Sequence, residues 1–246
     1  MNRRLESMTQ IGIFSKTIDP SMVEAAGRAG LPFIVLDREH GPASMGDLAN
    51  LIRSAESTDM IAMVRVRSLD EAEISSALDV GAHGLMVPNI NHADQARLAV
   101  SAARFHPLGS RGICRFVRSA GFGSMDREAY FEAENAKTLA LQIEGTDGID
   151  NLDEILEVPG YDMIFIGPYD LSQSIGRPGE IEHPDVLEQV GRIIARAQER
   201  GKRIGAFSDS ERLTDLLRQA GVDWITPGVD VDLFRKSIQE LLGAPK

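Results

Sequence analysis

Eight short apolar, β-branched runs alternate with longer helical patterns through all 246 residues, and no linker, low-complexity tract or composition shift divides them. These observations, together with polar residues recurring at the far ends of several runs, predict an α/β fold: a single TIM (β/α)8 barrel spanning residues 1–246. The runs are "IGIF" (11–14), "FIVLD" (33–37), "IAMVRV" (61–66), "GLMVP" (84–88), "LALQIE" (139–144), "DMIFIG" (162–167), "RIGAF" (203–207) and "DWITP" (223–227). Between them "MGDLANLIRSAES", "DEAEISSALDVG", "HADQARLAVSAAR" and "HPDVLEQVGRIIARAQERG" have helical spacing. Several open on Asp or His-Pro and two close on Gly, as capping physics prefers. A doubly wound open sheet is the alternative, but no Gly-x-Gly-x-x-Gly follows the first run, so a dinucleotide crevice lacks its phosphate-binding turn.

One connection is long. Residues 105–137 carry Arg111, Arg115, Arg118 and Arg127 among several glycines, and long connections in compact domains are usually functional or disordered. The remainder of the composition narrows the partners. A net charge of −11 and a pI near 5.0 argue against nucleic acid or an anionic membrane surface. The one cysteine, Cys114, cannot form an internal disulfide, which favours a reducing compartment. The opening "MNRRLESMTQ" leads into no apolar stretch, and no run approaches the roughly 18 residues of a membrane span. A cytoplasmic protein acting on small molecules is expected.

In such a barrel the chemistry sits where the strands end, and polar residues fall there repeatedly. The second strand runs into Asp37 and His40, the third carries Arg65, the fifth ends on Gln142 and Glu144, and the sixth leads to Asp170. Glu144 and Asp170 follow neighbouring strands with no lysine in either motif, so barrel closure sets two carboxylates together, which repel unless a cation or proton lies between them. Hard oxygen ligands with positions left for water and substrate suit Mg²⁺ or Mn²⁺ better than zinc. Gln142 shares Glu144's side by the two-residue period and could hold a metal-bound water or a substrate carboxylate. His40 is a candidate base, with Asp37 three residues earlier to orient it. Arg65 could stabilise developing oxyanion charge; Arg67, of the same parity, is its competitor one step further out. His83, His92, His106 and His183 read as caps or surface groups.

These segments together resemble the HpcH/HpaI family of class II pyruvate aldolases, which includes 4-hydroxy-2-oxoheptanedioate and 2-keto-3-deoxy-sugar-acid aldolases. The resemblance runs nearly end to end, through "LDREHGP" (36–42), "VRV" (64–66), "ALDVGAHGLMVP" (77–88), "PLGSRG" (107–112), "LQIEG" (141–145), "NLDEIL" (151–156), "IFIGPYDLS" (164–172) and "HPDV" (183–186). It implies Glu144 and Asp170 as metal ligands, His40 as base and Arg65 as the enolate-stabilising arginine. It further implies Gln142 with the backbone of Tyr169 and Asp170 as pyruvate-binding positions, and Arg118 near the acceptor end of the pocket. Asp79 matches an aspartate that reaches a neighbouring subunit's histidine. A hexamer, a trimer of dimers that exchange their last helix, is implied as well. Two departures stand near the expected pocket: Tyr169 where several members have a small residue, and Phe14 where some have tryptophan.

The expected reaction is reversible retro-aldol cleavage of a 4-hydroxy-2-oxo acid to pyruvate and an aldehyde. It would use Mg²⁺ or Mn²⁺, with Co²⁺ as a substitute, and neither a lysine Schiff base nor an organic cofactor. A citrate-lyase-like acyl-CoA lyase or an oxaloacetate decarboxylase would pass through the same enolate, and a barrel that binds a 2-oxo acid without turnover is a third reading.

Overall fold

Residues 9–243 are described by the structure, a computed structural model; the opening "MNRRLESM" lies outside them. Eight parallel strands close into a barrel in chain order: β1 (Gln10–Ser15), β2 (Phe33–Asp37), β3 (Ile61–Arg65), β4 (Gly84–Val87), β5 (Thr138–Ile143), β6 (Met163–Ile166), β7 (Arg203–Phe207) and β8 (Trp224–Thr226). The predicted (β/α)8 barrel is therefore the fold, and each of the eight apolar runs is one of its strands.

The helices alternate with the strands: α1 (Pro20–Arg28), α2 (Met45–Glu56), α3 (Glu71–Asp79) and α4 (Ala93–Ala103) precede β5, followed in the long connection by a 3-10 turn (Arg118–Gly123) and α5 (Arg127–Asn135). After β5 come α6 (Thr146–Asp150) and α7 (Leu152–Leu156), then α8 (Pro168–Ser174), α9 (Pro184–Glu199), α10 (Glu211–Gln219) and α11 (Asp230–Leu241). The caps follow from sequence. Ser44 and Asp47 close a capping box on α2, while Asp70 and Ser210 cap α3 and α10, each such cap contributing about 1 kcal/mol. His92 and His183 occupy the N-caps of α4 and α9, as expected of them.

Alternation along each strand divides the apolar residues between two cores. Phe14, Phe33, Val35, Met63, Met86, Met163, Phe165 and Trp224 fill the barrel interior, with Phe33 stacked on Trp224 at 4.2 Å between ring centres. The intervening Ile34, Leu36, Val64, Leu141, Ile164 and Ile166 face the helices. Parity then carries a consequence for the mouth: on the inward rows of Val35, Met63 and Ala140 the next inward residues are Asp37, Arg65 and Gln142. Interior packing below fixes the direction of polar groups above.

The last helix behaves unlike the others. Only Asp230 of α11 is buried, whereas Leu233, Phe234, Ile238, Leu241 and Leu242 are exposed, so much of its apolar side is left uncovered in this chain. No helix among the described residues is long and apolar enough to cross a membrane.

Candidate active site

Register brings the first pair together. Asp37 of β2 lies opposite Arg65 of β3, and the guanidinium donates to it twice, Nε to Oδ1 at 2.9 Å and Nη2 to Oδ2 at 2.8 Å. Extending the β1–β2 register, in which Ser15 faces Leu36, sets Lys16 beside Asp37 from the other side, and its Nζ lies 2.8 Å from Oδ2. Burial alone would raise the Asp37 carboxyl, but Arg65 and then Lys16 override it and pull its pKa down to about 2. The arginine fork is also stacked at 4.7 Å over the Phe14 ring and lies 2.9 Å from Glu39 Oε2. Arg65 is thus held by its neighbours before any ligand arrives. Arg67 is exposed, which decides between the two candidates of equal parity.

Across the barrel stands the acidic half. Glu144 is one residue past β5 yet 3% exposed, and among the described residues it forms no ion pair. Its carboxylate accepts from the Asn89 backbone N–H at 2.8 Å and from the Gln142 amide. Burial, with the facing carboxylates of Glu39 and Asp170, pushes its pKa up to about 7 against those two hydrogen bonds. Gly167 makes room for the arrangement, because a Cβ there would collide with the Glu144 carboxylate and the Gln142 amide. Asp170, in the first turn of α8, has neither a hydrogen-bond nor an ion-pair partner among the described residues, and Gln142 Oε1 is buried without one.

That donor set fits a divalent cation. Two carboxylates that no side-chain cation among the described residues neutralises, beside an orphaned amide oxygen, leave like charges uncompensated there. No cluster of three or more His, Cys, Asp or Glu exists among the described residues, so the remaining positions of the cation would go to water and substrate, as hard Mg²⁺ or Mn²⁺ accepts.

Between the halves lies a cavity of about 340 Å³ whose walls include Lys16, His40, Arg65, Gln142 and Asp170, with Phe14, Phe165, Phe207 and Tyr169 as its aromatic side. Phe14 sits edge-on to Phe165 and Phe207, at 5.9 and 6.0 Å. Tyr169 leans on Phe207 and donates its hydroxyl to Asp209 at 2.5 Å. That hydrogen bond, then burial, raises the phenol to about 12, so it stays protonated.

Seven of the nine residues singled out in the sequence meet at this mouth: Asp37, His40, Arg65, Gln142, Glu144, Tyr169 and Asp170. Two expectations change, and the third residue, Asp79, keeps to the strand-start face. Asp37 does not orient the His40 imidazole; it accepts only from the backbone N–H of Glu39 and His40 on that side, at 3.0 and 3.4 Å, because its side-chain lone pairs go to Arg65 and Lys16. The imidazole is more than half exposed, with Glu39 Oε2 at 3.8 Å. Arg118 is not at the acceptor end of this chain's pocket. Its guanidinium pairs with Glu56 and reaches Val80 O at 3.3 Å, at the ends of α2 and α3, on the face where the strands begin. Asp79, the last residue of α3, shares that face and binds Arg111 at 2.6 Å, so within one chain it is a barrel's length from His40.

Three residues of the mouth escaped the sequence reading. Lys16 is two past Phe14 and so of the same inward parity, a signal available in "IFSK". Glu39 lies inside the quoted "LDREH" but between two more familiar residues. Asn89 takes a φ of 57°, a conformation asparagine tolerates, and no local pattern foretells that its N–H serves Glu144.

The chain matches the HpcH/HpaI aldolase/citrate lyase family over residues 10–237. A 2-keto-3-deoxy-L-rhamnonate aldolase of Klebsiella pneumoniae is 34% identical over 239 residues, covering 97% of this chain and 89% of that one. Among solved structures, an HpcH/HpaI aldolase/citrate lyase family protein from Burkholderia cenocepacia superposes with a TM-score of 0.92 at 32% identity, over 98% of this chain and 96% of the other. The citrate synthase SbnG superposes with a TM-score of 0.87 at 29% identity, over 96% and 92%.

Proposed function

The chain belongs to the HpcH/HpaI aldolase/citrate lyase family, and from that premise we propose that it is a divalent-metal-dependent carbon–carbon lyase that cleaves a 4-hydroxy-2-oxo acid reversibly to pyruvate and an aldehyde. The observation that carries the reading is the division of the mouth into an unneutralised acidic half, Glu144 and Asp170, and a buried, fork-held Arg65 facing it with His40 alongside.

Glu144 and Asp170 would hold Mg²⁺ or Mn²⁺, which supplies Lewis-acid polarisation of the 2-oxo group. Gln142 and the backbone N–H groups of Tyr169 and Asp170, in the first turn of α8 where no helix acceptor is available, orient the pyruvate moiety. His40 takes the proton from the 4-hydroxyl. The C4–O–H electrons then form the aldehyde carbonyl as the C3–C4 bond breaks, and that bond's electron pair passes into the C2–C3 enolate. Arg65 holds the charge that develops on the enolate oxygen, already stacked and paired so that it reorganises little. Protonation of C3 completes pyruvate. No organic cofactor has a role in these steps.

A single barrel domain over residues 1–246 acting as a homo-hexamer, in the cytoplasm, completes the proposal. Its support is the uncovered apolar side of α11, which suits a helix exchanged between the subunits of a dimer, and the position of Asp79 on the strand-start face, out of reach of its own chain's His40. The test is condensation of pyruvate with a panel of aldehydes in the presence of Mg²⁺ or Mn²⁺, followed by detection of the new carbon–carbon bond. Absence of product with every aldehyde, while oxaloacetate still loses CO₂ in the same preparation, would replace the aldolase by a decarboxylase.

A further inference from the structure

We propose that Lys16 determines which aldehyde the site accepts, by binding a carboxylate at the end of the acceptor remote from the reacting carbonyl. This rests on the aldolase reading for the position of the substrate, though not for the existence of the subsite.

The argument begins with where β1 stands. In the closed strand order, β1 lies across the mouth from β5, so a substrate whose 2-oxo acid end is held by Gln142, Glu144 and Asp170 extends its other end toward β1. Lys16 is the cation that it meets there. The ammonium lines the same cavity as His40 and Arg65, and its side chain is 27% exposed, open to a ligand on one side and anchored on the other.

The anchoring is double. The Lys16 backbone N–H donates to Asp230 Oδ1 at 3.0 Å, while the neighbouring Ser15 hydroxyl donates to Asp230 Oδ2 at 2.7 Å. At the tip, Nζ rests 2.8 Å from Asp37 Oδ2. A lysine loses much rotamer entropy when it grips a ligand, and here that cost is met before binding. An ammonium carries three N–H donors, so one directed to Asp37 leaves two for a ligand.

Charge favours an anion over a hydroxyl at this spot. Asp37 already accepts both Arg65 bonds and two backbone N–H groups, so its single negative charge is shared between two full cations. The acidic groups outside the proposed metal ligands are committed elsewhere: Glu39 lies against Arg65, Asp209 accepts from Tyr169, and Asp230 accepts from the Ser15 hydroxyl and the backbone N–H groups of Lys16 and Val231. Phe14 and Phe207 line the same cavity as Lys16, and a charge-assisted contact beside such a low-dielectric surface is stronger than one in water. A neutral acceptor tail would leave the ammonium's two free donors to water and gain little.

The experiment uses acceptors matched in length. Aldol addition of pyruvate to succinic semialdehyde and to butanal is compared in wild type, Lys16→Met and Lys16→Arg, with Mg²⁺ present. The expected result is that Lys16→Met lowers the ratio of kcat/KM for the acidic over the neutral aldehyde by tenfold or more, and that Lys16→Arg restores most of it. Equal losses on both aldehydes in Lys16→Met would overturn the proposal and leave Lys16 as a residue that positions Asp37 and Arg65. A calorimetric arm needs no turnover: 2-oxoadipate and 2-oxohexanoate, which differ only in a terminal carboxylate against a methyl, are titrated into each Mg²⁺-loaded protein. Wild type should prefer the diacid and Lys16→Met should lose that preference; an unchanged preference overturns the subsite. Should wild type condense neither aldehyde, the aldolase reading passes to the wider aldehyde panel, and the calorimetric comparison still decides Lys16.

Discussion

Arg65 and Asp37 are register partners on β3 and β2, and their side chains close a two-point ion pair at 2.9 and 2.8 Å with both groups buried. A fork of this kind fixes direction as well as charge, so a lysine at position 65 would keep the charge and lose the aim. Arg65→Lys should therefore lower kcat/KM for aldol cleavage by about 10²-fold. Exchange of the pyruvate methyl protons with deuterated water, followed by NMR, should slow in parallel. Unaltered exchange in Arg65→Lys would remove Arg65 from enolate stabilisation.

His40 and Arg65 have separate tasks on the proposed path. Loss of CO₂ from oxaloacetate needs a stabilised enolate but no base at a 4-hydroxyl. His40→Ala should thus abolish most aldol cleavage while sparing more of the decarboxylation, whereas Arg65→Ala should damage both. The two reactions, assayed on the same preparations, give the comparison; identical profiles for the two variants would show that the division of roles is wrong.

Glu144 is an acid in a poor place for an acid. It is buried, faces Glu39 and Asp170, and pairs with no cation among the described residues. Replacing it by glutamine removes the repulsion and retains the hydrogen-bonding shape. Glu144→Gln should therefore lose Mg²⁺ or Mn²⁺ affinity by calorimetry while the metal-free protein gains about 1 kcal/mol of stability, as sites kept for function commonly do when neutralised. A destabilised variant that still binds the cation would move the metal elsewhere.

The Asp37 carboxyl sets an acid limit. Its folded value of about 2 lies below the ordinary aspartate value of 3.8, so on acidification the unfolded chain takes up this proton first. The stabilisation is complete above about pH 4 and disappears as pH falls through about 2, amounting to about 2 kcal/mol. Denaturant titrations of wild type and Asp37→Asn between pH 5 and pH 2 should show the gap between them narrowing by that amount. A constant gap would mean that the pairing seen here does not persist in solution.

The uncovered side of α11 predicts an assembly that depends on it. Phe234→Glu with Ile238→Glu places charge among Leu233, Leu241 and Leu242, all exposed in the single chain. Light scattering should report a smaller species than for wild type, with the barrel's circular dichroism retained. The same oligomer in both proteins would assign the contact to another surface.

The order of strands, the cap residues and the parity of Asp37, Arg65, Gln142 and Glu144 were all legible in the linear chain. A two-residue period and a helical period are local, and an inward position below implies an inward position above. Local pattern also sufficed to expect that Glu144 and Asp170 share one rim, because β5 and β6 are consecutive. What tertiary structure decided was the choice of partner among several within reach. Asp37 could serve His40 by sequence distance, yet it serves Arg65 and Lys16, since lateral register on β1, β2 and β3 outweighs a separation of three along the chain. Arg118 stands in a long connection whose path no period constrains, and it folded back on Glu56 at the other end of the barrel. Lys16, Glu39 and Asn89 became site residues only on closure, when β1 and β4 were curved round to face or flank the acidic pair. Sequence fixes the side on which a residue emerges; the closing of the sheet determines what it emerges against.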